Sequence, residues 1–196
     1  VTTYISEYIF PSVIRGVEEV LSMAGYSLLL ANTANDKFKE AQCLENLLNQ
    51  DIAGLIIEPT KSALGNTNAK YFDELEKRGI PFLMLHAFYP ELDPAYIIMD
   101  DEKGGYMATR YLLQLGHRNI AGIFKSDDLQ GVNRQLGFNK ALAEFGQEPH
   151  PELVGNYDTE HMKTFPYQFV RELLQKTPQP TAIICYNDQV ALSVME

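Results

Sequence analysis

The sequence predicts an α/β protein whose core is a parallel sheet covered by helices on both faces, the pattern of a doubly wound fold. Three features lead there: apolar runs of about six residues, such as IAGLII (52–57) and NIAGIF (119–124); intervening segments whose apolar residues recur at steps of 3 and 4; and the regular alternation of the two along 196 residues.

Taken in order, Ile9, Phe10, Val13, Ile14, Val17, Val20, Leu21 and Ala24 give a first helix one apolar face, with Pro11 tolerated in its first turn and Gly25 as its stop. YSLLLA (26–31) reads as a strand and residues 36–50 as a second helix carrying Phe38, Ala41, Leu44, Leu47 and Leu48. IAGLII is the next strand, YFDELEKRG (71–79) a helix, IPFLML (80–85) a strand and YIIM (96–99) another. A helix over 103–116 ends at Gly116, and NIAGIF follows as a strand. Helices near 131–145 and 161–176 flank a weak strand around 152–156, and TAIICY (181–186) feeds a last helix. VTTY (1–4) reads as the second half of a strand and NDQVALSVME (187–196) as the first two turns of a helix, so the chain is expected to be part of a longer protein.

Composition narrows the function. With 16 basic against 26 acidic residues the net charge is −10, which would repel a phosphate backbone and makes nucleic acid a poor direct partner for these residues. Cys43 and Cys185 form no CxxC pair and are expected as isolated buried thiols of a reducing compartment. No apolar run reaches the length of a membrane span.

In a doubly wound sheet, ligands bind beyond the carboxyl ends of the strands. Those ends carry Tyr4 and Phe10; Glu58, Thr60 and Lys61; His86, Phe88 and Tyr89; Asp100 and Asp101; Lys125, Asp127 and Asp128; and Asn187. Carboxylates accept from hydroxyls, amides and arginine orient them, and aromatic faces cover the C–H side of a sugar ring, so such a rim suits a neutral polyhydroxylated ligand. No GxxxxGK[ST] or GxGxxG turn is present for a phosphorylated ligand, and no GxSxG, HExxH or calcium-loop pattern for an enzyme or metal site. Arg134, on the helix that follows the Lys125–Asp128 strand end, adds a candidate clamp; plainer roles fit equally, a surface ion pair for Arg134, a turn cap or a Glu58 partner for Lys61, a buried satisfied imidazole for His86.

Six segments, in order, resemble the effector-binding core of lactose/galactose-repressor-type transcriptional regulators: VTTYISEYIFPSVIRGVEEVLSMAGYSLLLANT, DIAGLIIEPT, RGIPFLML, DDEKGGYMATRYLLQLGHRNIAGI, NRQLGFNKAL and PTAIICYNDQVAL. That family shares the type I periplasmic-binding-protein fold. The resemblance spans essentially the whole chain. ISEYIFPSVIRG, IIEPTKSA and FKSDDLQGV are most similar to arabinose repressors of Gram-positive bacteria.

The resemblance implies two lobes, 1–126 and an incomplete 127–196, with a sugar bound between them biasing their closure. It implies that Phe10 walls the pocket and that Arg134, before the Gly137-Phe138 pair, and Asn187 grip sugar hydroxyls. The arabinose-type wording adds Tyr4, Glu58, Lys125 and Asp127; the rim residues Lys61, His86 and Tyr89 complete the candidate ligand-binding set. It further implies a cytoplasmic homodimer with no cofactor, whose operator DNA is held by a headpiece outside these residues and released when L-arabinose or a related sugar binds. Two other readings are a sugar-binding component of a transporter, and an α/β enzyme using Glu58 or Asp127 as acid or base.

Overall fold

An apolar run becomes a strand where a neighbouring run can pair with it, and the computed structural model, which describes residues 1–195, shows where that happens. Two compact units emerge, Val1–Ile98 and a second that starts at Met99.

In the first unit the helices are α1 (Phe10–Met23), α2 (Lys37–Leu48) and α3 (Ala69–Lys77), and the strands β1 (Leu55–Ile57), β2 (Phe82–Leu85) and β3 (Ala95–Ile97). The strands form a parallel sheet in the order β1-β2-β3, with Leu55 beside Phe82 and Leu83 beside Ala95. Asp36 starts α2 by accepting the Lys39 N–H at 2.8 Å, satisfying one of the orphan donors of the first turn. From there Leu44, Leu47 and Leu48 of α2, with Phe72 and Leu75 of α3, bury against Ile57 and Met84 of the sheet.

The second unit holds α4 (Asp101–Gln114), β4 (Ile120–Lys125), α5 (Leu129–Glu144), β5 (Val154–Tyr157), α6 (Phe165–Leu173), β6 (Ala182–Cys185) and α7 (Asp188–Met195). Its parallel sheet runs β5-β4-β6, and all six residues of the central β4 are buried. One face packs Leu113 of α4 and Phe138, Ala141 and Leu142 of α5 on Ile120 and Phe124; the other packs Val170 of α6 and Val190 of α7 on Ile123. This is the expected doubly wound arrangement. Helices α4 and α5 touch backbone to backbone: a Cβ on Gly137 would lie 1.9 Å from the Glu102 carbonyl oxygen, and one on Gly105 2.1 Å from that of Arg134.

Two expectations are corrected. The division between units falls at 98/99 rather than at 126/127, because the glycine contact locks α4 onto α5 and β4 lies between β5 and β6. Residues 26–31 are not a strand: among the described residues, the pairing next to them is the isolated parallel bridge of Thr2 with Asn32. Consistent with that, the apolar stripe Val13, Ile14, Val17 and Leu21 of α1 is only half buried and looks onto a cavity of about 750 Å³ instead of a sheet.

Smaller shifts occur at element ends. Helix α4 begins at Asp101, where the Asp100 carboxylate accepts the Lys103 N–H, and α6 is confined to Phe165–Leu173. Cys43 and Cys185 are free, half-buried thiols, and burial pushes the Cys185 thiol up to about 11. Among the described residues no helix is long and apolar enough to cross a membrane.

Candidate functional site

In the first unit β1 delivers Glu58 one residue beyond its last paired position, with 8% of its surface exposed. One carboxylate oxygen accepts both the N–H of Thr3 (3.1 Å) and its hydroxyl, while the other faces Nδ1 of His86 at 2.9 Å. His86 directly follows β2 in the left-handed region (φ 63°), and its N–H donates to the Ile97 carbonyl at 2.9 Å, pinning the end of β2 to β3. Phe10, the first residue of α1, sets its ring 5.8 Å from Tyr4 and 6.0 Å from His86. Tyr4, Phe10, Glu58 and His86 therefore form one group of a carboxylate, an imidazole and two aromatic faces.

Lys61 and Tyr89 have a different setting. Lys61 stands at positive φ (41°) with its N–H on the Asn35 side-chain oxygen at 2.8 Å. Tyr89 is 2% exposed with its ring against Phe72; its hydroxyl accepts from Lys37 Nζ at 2.7 Å and donates to the Thr60 carbonyl at 3.3 Å. Fully buried Glu40 completes this support by accepting the Thr60 N–H (2.8 Å) and the Asn68 side-chain amide (2.6 Å). Tyr89 and Glu40 thus brace the loop that follows Glu58 from below.

In the second unit Lys125 ends β4 at 3% exposure, and its ammonium reaches Asp127 at 2.8 Å, Asp128 at 2.5 Å and the Thr159 hydroxyl at 2.9 Å. Asp128 and Thr159 accept hydrogen bonds from the ammonium, while Asp127 stands at ion-pair distance. Asp127 also accepts from the N–H (2.9 Å) and hydroxyl (2.7 Å) of Thr159. Burial by itself raises the Asp127 pKa, but the bonds from Lys125 and Thr159 outweigh it and hold the carboxyl below the usual carboxylate range.

Arg134 on α5 places Nε and Nη2 each 2.8 Å from one oxygen of buried Asp101, and Nη1 2.6 Å from the Tyr186 carbonyl; its guanidinium lies 5.0 Å from the centre of the Tyr186 ring. This is a half-buried clamp on a buried carboxylate rather than a loose surface pair. Asn187 caps α7, its side-chain oxygen accepting the Val190 N–H at 3.0 Å.

Sequence reading did not single out Thr3, Glu40, Thr159 or Tyr186. Thr159 follows the weak β5, whose strand end was not part of the rim, and Tyr186 directly precedes Asn187. Among the described residues no three His, Cys, Asp or Glu side chains are grouped to hold a metal ion. What the two groups can do is accept from and donate to hydroxyls in sheltered surroundings, with aromatic faces beside them.

Residues 2–196 match the family described as periplasmic binding proteins and sugar binding domain of LacI family. An arabinose metabolism transcriptional repressor of Halalkalibacterium halodurans is 46% identical, covering 100% of this chain and 52% of its own length; one of Geobacillus stearothermophilus is 48% identical, covering 100% and 54%. The chain thus spans about half the length of these relatives. The solved transcriptional regulator CelR–cellobiose complex superposes with a TM-score of 0.80 at 26% identity over 97% of this chain and 57% of that one. Fold, polar strand ends and relatives agree, and the chain belongs to the family of periplasmic binding proteins and sugar-binding domains of LacI-type regulators.

Proposed function

We propose that this chain is the effector-binding part of a repressor of arabinose metabolism genes, and that its effector is L-arabinose. The observation that supports this best is the 46–48% identity, along the whole chain, to two proteins named as such repressors. In the full-length protein, a cytoplasmic homodimer, sugar binding weakens the hold on operator DNA through a rearrangement of the effector-binding part. The DNA contact belongs to residues outside these 196, in keeping with their net charge of −10.

Within this reading Tyr4, Phe10, Glu58, Lys61 and His86 of the first unit, and Lys125, Asp127, Arg134 and Asn187 of the second, are each candidates for sugar recognition. Tyr89 has a supporting part, since its hydroxyl is bound by Lys37 and Thr60. The sheltered carboxylate of Glu58 beside the Tyr4 and Phe10 rings is the kind of acceptor a pentose hydroxyl needs.

The test is calorimetric titration of the full-length protein with L-arabinose, D-xylose, D-ribose and D-galactose. Selective heat with L-arabinose is expected. Equal response to all four, or none to any, would overturn the choice of effector.

A further inference from the structure

Among the described residues β5 is an edge strand, bordered by β4 on one side only. The Ser126 N–H donates to the Tyr157 carbonyl at 2.8 Å, so Tyr157 and, two residues back, Gly155 turn their main-chain groups toward β4. The residues between them turn theirs outward. The Val154 N–H is taken by the Pro151 carbonyl, which leaves the Val154 carbonyl and both the N–H and the carbonyl of Asn156 at the open edge.

Val154 and Asn156 also line a cavity of about 300 Å³, together with Gln135 and Asn139, one turn apart on α5, and Pro149 and Pro151 of the loop before β5. None of the three carboxamides makes a side-chain hydrogen bond among the described residues, and the Asn139 oxygen is buried without a partner. A buried acceptor left in that state is costly until a donor reaches it.

The lining selects the occupant. Among the described residues it has no basic side chain to hold a phosphate or carboxylate, no acid, imidazole or thiol to hold a metal ion, and no aromatic ring to cover a sugar. Carboxamides instead pair with peptide groups, each offering donors and an acceptor. The Val154 carbonyl and the Asn156 N–H are the pair that brackets one residue of an added parallel strand, accepting its N–H and donating to its carbonyl. Acidic residues stand at both ends of the edge, Glu148 and Glu152 before β5 and Asp158 and Glu160 after it.

We propose that this groove docks an extended segment of another protein, uncharged over its centre and basic at both ends, added to β5 as a short parallel strand. The four-residue length of β5 and the prolines before it keep the added strand short. The net charge of −10 opposes a second copy of this chain and suits a basic partner. The docking is independent of the effector, since no residue of the groove belongs to the candidate sugar-binding set.

Hydrogen exchange on the full-length protein reads the edge directly, because Asn156 is the residue of β5 whose N–H points away from β4 without a partner. The probe is the blocked peptide acetyl-Lys-Thr-Val-Asn-Thr-Lys-amide; recognition through main chain and carboxamides makes one such sequence sufficient. At about 1 mM it should slow exchange of the Asn156 N–H by about 10-fold, and the same peptide with glutamate at both ends should not. In fluorescence anisotropy with the labelled lysine peptide, Asn156→Pro, which removes only the outward donor, and the milder Asn139→Ala should each weaken binding about 5- to 10-fold with little change in the urea midpoint. An Asn156 N–H already protected without peptide would overturn the proposal, since the protein or a second copy would then cover the edge. So would unchanged exchange with the peptide, or equal binding by both variants, which would be charge attraction alone.

Discussion

Glu58 in the first unit is a buried carboxylate held by an imidazole and by the N–H and hydroxyl of a threonine, whereas Asp127 in the second faces a full cation, Lys125, with Asp128 and Thr159 closing around them. Both sit just past the end of a parallel strand. The first arrangement can trade a hydroxyl donor for a ligand hydroxyl at little cost, since like replaces like. The second is an internal ion network, so a ligand reaching it meets charges already paired with one another. Glu58 should then govern affinity, and Lys125 stability and the energetic cost of rearrangement.

Lys125→Met tests the contrast most severely. Removing the cation leaves Asp127 and Asp128 confronting each other in a buried setting, and unfolding by urea should show a loss of about 3–5 kcal/mol. A loss below about 1 kcal/mol would show that the network contributes little.

Glu58→Ala should instead weaken L-arabinose binding to the full-length protein by about 2–5 kcal/mol in calorimetry, with a much smaller effect on the urea midpoint. Unchanged affinity would remove Glu58 from the ligand's surroundings and erase the distinction between the two groups.

A third difference concerns pH. The buried Val1 amine binds its proton less well in the folded chain than in the unfolded one, so between about 6 and 8 the unfolded state carries more protons. A chain starting at Val1 should gain roughly 2–3 kcal/mol as pH rises across that range, a gain absent when Val1 is peptide-bonded to a preceding residue. Asp127 has the same sign in a more acidic range: its depressed carboxyl contributes stability above the ordinary Asp range, which is lost as pH falls through its folded value.

The smallest effect expected is that of Asn187→Ala. Loss of the α7 cap costs about 0.5–2 kcal/mol of stability, measured by thermal or urea unfolding. A fall in sugar affinity beyond that would show that the cap also touches the ligand.

Much of this was legible in the sequence because apolar periodicity reports which face of an element is buried, and it located nearly every helix and strand. It could not say which sheet a strand joins. The run at 120–125 looks the same at the edge of the first unit as at the centre of the second, and only the Gly105–Gly137 approach and the pairing with β5 and β6 decide. YSLLLA failed as a strand for a related reason: β propensity describes a pleated surface with neighbours, and residues 26–30 face a cavity. At the candidate site, the acids and aromatics at strand ends were visible from spacing. Thr3, Thr159 and Tyr186 were not, since a threonine or a carbonyl becomes significant only through the charged group it meets across the fold.

The central claim is that sugar binding by this chain controls an operator. It is tested most directly by measuring operator affinity of the full-length protein with and without saturating L-arabinose at one salt concentration. The account predicts a weakening of about 5- to 150-fold, matched by an equal weakening of L-arabinose binding when operator is present. Operator affinity unchanged by a sugar that demonstrably binds would contradict it.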